Sequence, residues 1–190
     1  HARIETLIDQ VLALARMERE PDAATELDVA GVATDALATV DIGDGEVVVD
    51  VDRAAHAERS ALRQVFENCY RNAAEHAGPD PTIRVTCLGD DAGFAIEDDG
   101  PGIPESEREA VFDRGYSNED GTGLGLAIVA EVAETYDWTV DVVDGLDGGA
   151  RFEFRTTPTP GAVDAPDGRE SPDPDSVDED DATPRVVSGT

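Results

Sequence analysis

The apolar residues of this chain change their period along its length, and that change restricts it to a mixed fold. Over 60–77, Leu62, Val65, Phe66, Cys69, Ala73 and His76 lie on one side of a helix, which Gly78-Pro79 stops. Strand-period runs at 82–88 and 94–97 follow, joined by a turn over 89–93. A third helix opens in glycines at Gly121 and carries Leu124, Ile128 and Val132 beside Val129 and Ala133. Two more strands, 139–143 and 151–156, read as a hairpin across the glycine-rich turn 145–149. Upstream, Asp28 caps a helix ending near residue 38, and a turn at Gly43-Asp44-Gly45 leads into a strand over 46–51. No internal repeat is present. This order predicts an α+β fold, a two-layer sandwich in which helices cover one face of a mixed sheet.

The two ends read differently. Ile4, Leu7, Val11 and Leu14 fall at heptad spacing over 2–19, with Ile8, Leu12 and Ala15 widening the stripe, and Glu20-Pro21-Asp22 ends it. Such a helix wants a partner, and the pattern fits a dimerising coiled coil and an ordinary core helix equally. From 157 to 190, six Pro and nine acids leave too little apolar surface to offset ordering entropy, so a disordered acidic tail is expected. The 190 residues then hold one core.

Charge excludes whole classes of chemistry. Asp and Glu number 44 against 14 basic residues, a net charge of -30, and every basic residue is arginine. Without lysine there is no P-loop lysine, no pyridoxal Schiff base and no Ser-x-x-Lys nucleophile. A surface this negative is repelled by nucleic acid phosphates. At 1 M salt the Debye length is roughly 3 Å, so such a surface suits a salty cytoplasm, and a halophilic origin is expected. Cys69 and Cys87, with no Cys-x-x-Cys or clustered histidine, read as buried core thiols. No apolar run reaches membrane-spanning length and no secretory signal opens the chain, so a cytoplasmic location is expected. Starting at His1 with its one methionine at Met17, the sequence reads as a piece of a longer protein.

Four patterns carry chemistry. On a helical wheel Asn72 falls at the edge of the apolar face of the long helix, with Asn68 one turn back. An amide carbonyl is a neutral hard ligand for a Mg²⁺ that keeps its waters and rides on nucleotide phosphates, although for two isolated Asn a cap or an exposed polar side chain is the better reading. Asp98-Asp99-Gly100-Pro101-Gly102-Ile103-Pro104 puts a carboxylate at a strand end, followed by glycines that admit a ligand; a buried Asp there can accept an exocyclic amine, and by itself the heptapeptide fits a mere turn equally. The stretch 98–121 is long for a passive connector. Gly121-Thr122-Gly123-Leu124-Gly125-Leu126 then opens a helix whose free N–H groups favour an anion, without matching the dinucleotide-binding G-x-G-x-x-G.

In this order the patterns resemble the catalytic ATP-binding domain of sensor histidine kinases, over residues 60–156, within the superfamily shared with gyrase B, the ninety-kilodalton heat-shock chaperone and MutL. Glu67-Asn68-Cys69-Tyr70-Arg71-Asn72-Ala73 resembles the N box, 98–102 the G1 box, Val111-Phe112-Asp113-Arg114 the F box and 121–125 the G2 box. Residues 2–19 resemble the second helix of the dimerisation hairpin, which sets domain limits of 1–20, 21–156 and 157–190. The resemblance implies ATP and Mg²⁺ as ligands. Asn72 would hold the metal, Asn68 phosphate or the metal's waters, and Asp98 the adenine amine, while Gly100, Gly102 and Ile103 admit the nucleotide. Gly121, Thr122, Gly123, Leu124 and Gly125 would meet the phosphates, and 103–120 would form a lid. Arg114 is the candidate for stabilising phosphate charge, with Arg71 second; a surface ion pair is the alternative for each, and the better one for Arg71.

Asp99 stands where the family usually has Asn, and Glu75-His76 where it has a Lys-Tyr pair, so one phosphate contact is lost. The superfamily's ATPases place a glutamate base one turn before the metal-binding Asn, which here is Asn68. Glu67 lies five residues from Asn72, about 140° around the helix, and should point away. Phosphoryl transfer is therefore favoured over hydrolysis; the resemblance implies that the acceptor is a histidine outside these residues, followed by an aspartate of a response regulator, within a homodimer of the full protein. His1, His56 and His76 do not match the acceptor motif, and no autophosphorylation is expected. A true ATPase and a nucleotide-binding interaction module without transfer are the alternatives.

Overall fold

A computed structural model describes residues 24–89, 93–116, 123–145, 147–156 and 185–188. The expected helix over 2–19 and most of the acidic tail lie outside them. The elements are β1 (Thr25–Asp28), α1 (Val29–Ala36) with a 3₁₀ turn (Leu37–Thr39), β2 (Glu46–Asp50), β3 (Ala54–Ala57), α2 (Arg59–His76), β4 (Thr82–Cys87) and β5 (Gly93–Asp98). A second 3₁₀ turn (Ala110–Phe112), α3 (Gly125–Thr135), β6 (Thr139–Asp144), β7 (Ala150–Arg155) and β8 (Arg185–Ser188) follow. Six strands form one sheet in the order β6-β7-β5-β4-β2-β8, in which β2 and β4 run parallel and every other pair antiparallel. β1 and β3 pair separately.

The α+β sandwich is thus the observed architecture, and its local causes are visible. The Asp28 carboxylate accepts the Ala30 and Gly31 amides at 3.3 and 3.1 Å, starting α1 as the sequence implies. α2 has no side-chain cap and is held by burial instead, with Leu62, Val65, Phe66 and Tyr70 wholly inaccessible. Each such side chain contributes roughly 1.5–3 kcal/mol. Phe66 stacks on Phe94 of β5 at 5.5 Å, and Phe94 on Phe154 of β7 at 4.9 Å, which fastens the long helix to the middle of the sheet. Tyr70 donates its hydroxyl to the Ala33 carbonyl at 3.1 Å, tying α2 to α1; burial raises its pKa and keeps it neutral.

Strand alternation separates two faces. Ile83, Val85, Phe94, Ile96, Phe152 and Phe154 point into the core. On the opposite face Arg84, Glu97 and Arg151 lie side by side in register. Glu97 is only 2% exposed, and its carboxylate lies between the guanidinium of Arg151 at 2.9 Å and that of Arg84 at 3.6 Å.

Four expectations need correction. α3 begins at Gly125, with Leu124 as its N-cap residue, not at Gly121. Gly123 has φ +65°, which breaks helical geometry, and its carbonyl instead accepts the Gly115 amide at 2.9 Å. The tail is not wholly without order, because Arg185–Ser188 pairs with β2: two adjacent valines find a free strand edge. β1 and β3 were not anticipated, since Thr-Glu-Leu-Asp and Ala-Ala-His-Ala carry no strand-period signal and form only by pairing with each other. Cys69 is buried, with its thiol pKa pushed up by desolvation, but Cys87 is only partly buried and accepts the Asp52 amide at 3.4 Å.

Candidate nucleotide site

The C-terminal half of α2 brings the predicted residues together. Asn68 is 5% exposed; its amide donates to the Gln64 carbonyl at 2.8 Å, and its Oδ1 accepts from Arg71 at 3.4 Å. A Cβ on Gly125 would stand 3.3 Å from that same Oδ1, so the start of α3 abuts Asn68. The amides of Gly125, Leu126 and Ala127 precede the first i→i−4 bond, from Ile128 to Leu124, and so have no partner within the helix. Asn72, one turn further on, is half-buried. At its far end α2 meets the other key segment, because a Cβ on Gly100 would fall 2.9 Å from the Cα of Ala77.

Asp98 ends β5 and is partly buried. Its Oδ1 accepts the Gly100 amide at 2.9 Å and the Ala150 amide at 3.2 Å. Burial pushes its pKa above the ordinary value, the two amides pull it back, and the Asp99 charge adds to the rise. A Cβ on Gly100 would lie 2.9 Å from Asp98 Oδ1 as well, which puts the carboxylate beside the end of the N-box helix.

Sequence reading missed the contribution of the β6–β7 turn. A Cβ on Gly149 would lie 1.8 Å from the Asp98 carbonyl oxygen, so only glycine lets the turn close over the carboxylate. Gly102 rests against the Gly148 carbonyl in the same cradle. The available signal was the Gly148-Gly149 pair, which reads merely as a hairpin turn until its neighbour is known. Asp99 accepts the Thr82 amide at 2.9 Å and thereby anchors the start of β4 rather than facing the site.

Within the expected lid, residues 103–116 are described and tethered. Arg108 donates to the Ile103 carbonyl at 2.9 Å and to Asp144 at 2.5 Å; Val111 is buried, and Tyr116 donates to Glu107 at 2.5 Å. Arg114 is 68% exposed and pairs with Glu131 of α3 at 2.9 Å, which is the surface ion pair weighed as its alternative. Gly121 and Thr122 lie outside the described residues. Glu67 is held by Arg63 at 2.6 Å and Thr39 at 2.7 Å, on the side facing the 3₁₀ turn after α1. No cluster of three His, Cys, Asp or Glu capable of holding a metal occurs among the described residues. A metal here would have to ride on the nucleotide, with a neutral oxygen from Asn72, and that donor suits Mg²⁺.

Comparison with known proteins agrees with this geometry. The family described as histidine kinase-, DNA gyrase B-, and HSP90-like ATPase matches residues 57–160, and the chain belongs to that family. It is 35% identical over 102 residues to the sensor-type histidine kinase PrrB of Mycobacterium tuberculosis, covering 50% of this chain and 23% of that kinase. Against the virulence sensor histidine kinase PhoQ of Salmonella typhimurium identity is 37% over 99 residues, covering 50% of this chain and 20% of the kinase. The chain therefore matches less than a quarter of the length of these curated relatives. Among solved structures, the mycobacterial sensor histidine kinase MprB superposes with TM-score 0.62 at 29% identity, over 69% of this chain and 95% of that one. Full-length ShkA in complex with AMPPNP gives 0.64 at 26%, over 80% of this chain and 35% of that one. The fold is that of the ATP-binding catalytic domain of two-component sensor histidine kinases.

Proposed function

We propose that this chain binds Mg-ATP between α2, the Asp98 loop and the start of α3, and passes the γ-phosphoryl group to a histidine outside its residues. From there the group goes to an aspartate of a response-regulator receiver domain. The observation that carries this reading is Asp98, a partly buried carboxylate whose Oδ1 is committed to two backbone amides; its other oxygen would accept a ligand's exocyclic amine. Asn72 would hold Mg²⁺, which supplies charge neutralisation at the phosphates. The α3 amides of Gly125, Leu126 and Ala127 would receive phosphate oxygens, and Asn68 would fix the spacing of the two helices. For Arg114 to reach phosphate it would have to leave Glu131, a step suited to closure over bound nucleotide.

Hydrolysis is the weaker reading, because the position one turn before Asn72 is an amide and Glu67 is engaged elsewhere. The domain limits 1–20, 21–156 and 157–190, a homodimer of the full protein and a cytoplasmic location belong to the same proposal. No helix among the described residues is long and apolar enough to cross a membrane.

Calorimetric titration of Mg-ATP in molar KCl tests the site. Wild type should bind, and Asn72→Ala and Asp98→Ala should lose binding while keeping their circular dichroism spectra. A folded wild type that does not bind overturns the proposal in favour of an interaction module. Phosphate release without any acceptor would identify an ATPase, whereas phosphate transferred to a supplied hairpin would identify the kinase.

A further inference from the structure

We propose that the outer edge of β2 is a strand-docking site whose occupant is the chain's own C-terminal segment, Arg185–Ser188, held there as a releasable latch. The sheet ends at β8, which forms its ladder with β2 through the pairs Glu46↔Ser188, Val47↔Val187, Val48↔Val186 and Val49↔Arg185. β4, on the other side of β2, is clamped between two partners over six residues, whereas β8 offers four residues to one partner.

Three features make the latch releasable. The segment joining β7 to β8 runs from 156 to 184 and is rich in Pro and acids, so it supplies only a modest effective concentration. Arg155, at the end of β7, and Arg185, at the start of β8, lie at the same end of the sheet. The β2 side chains that reach the core, Val47 and Val49, belong to the main cluster of buried residues, and β4 satisfies the other side of β2.

Without the latch, β2 would present three successive valines along an unpaired edge, flanked by Glu46 and Asp50. Such an edge recruits any extended, β-branched segment, and an acid at each end favours one that carries a basic residue. The C-terminal segment has that chemistry: Arg185 leads two valines and sits in register beside Val49, next to Asp50. Its occupation of the edge shields β2 from strand-pairing partners, a second copy of this chain among them.

Hydrogen–deuterium exchange on the full chain in molar KCl, followed residue by residue, tests this against a full-length variant carrying Val186→Pro and Val187→Pro, which cannot donate to the ladder. In wild type, the β2 amides pointing away from β4 should be protected; in the variant they should exchange about tenfold faster or more, with β4 and β5 unchanged. A synthetic peptide of residues 183–190 should restore protection to the variant and add none to wild type. Equal exchange of the outward β2 amides in both proteins overturns the latch. Protection of wild type that fades on dilution, with dimers in sedimentation, also overturns it and assigns the strand to a second copy.

Discussion

Asp98 carries a charge in a place where burial disfavours one, and the cost can be read in stability. Its native pKa lies above the ordinary 3.8, so between those two values the folded chain keeps a proton that the unfolded chain has lost. Stability therefore falls as pH rises through that window, and the penalty is complete once pH has passed the native value. Asp98→Asn keeps the Oδ1 acceptor for Gly100 and Ala150 but removes the charge. It is expected to melt a few degrees above wild type at pH 7, with the gap closing as pH drops toward the carboxylate range; thermal melts across that range check this. ATP affinity should fall roughly tenfold or more in the same variant, because an amide N–H₂ would face the ligand's amine. Asp98, Asn68 and Asn72 are readable from sequence, because a strand end and a helical wheel are local geometry. What closes over the carboxylate is not readable, since Gly149 and Ala150 reach it only through the β5–β7 pairing.

The second layer of the sandwich depends on how α2 is gripped between α1 and the sheet. Tyr70→Phe removes the hydroxyl that bonds the Ala33 carbonyl and should cost about 1 kcal/mol in urea unfolding, without altering ATP affinity, because the ring packing and Asn72 are untouched. Gly149→Ala should behave in the opposite manner: its Cβ forces the β6–β7 turn off Asp98, so nucleotide titration should show binding lost together with stability. The elements carrying strong periodicity, α2 and strands β2, β4, β5, β6 and β7, were legible to within a residue or two. β1 and β3 were not, because alanines and acids form strands only when a partner is supplied by the fold. The start of α3 was misread for a related reason: a run of glycines marks a helix mouth without saying which glycine turns the backbone, and the Gly115–Gly123 bond decides it.

For the molecule as a whole, the net charge of -30 sets the conditions under which everything else operates. That figure already counts every arginine, so ion pairs such as Arg84–Glu97–Arg151 leave it unchanged and the excess acids repel one another across the surface. Far-UV circular dichroism should show the native spectrum in molar KCl and loss of helix on dialysis into dilute buffer; equal folding in both would remove the case for adaptation to salt. The pairing of β2 with β8 also places a demand on biosynthesis, because β2 leaves the ribosome well before the strand that pairs with it. At 5–20 residues per second, β7 precedes β8 by roughly two to seven seconds. During that interval the nascent domain can complete its core with one valine-rich border still bare, and on a polysome the neighbouring chains are in the same state. Glu46 and Asp50, at either end of that border, are then the charges that keep one growing chain from pairing with the next.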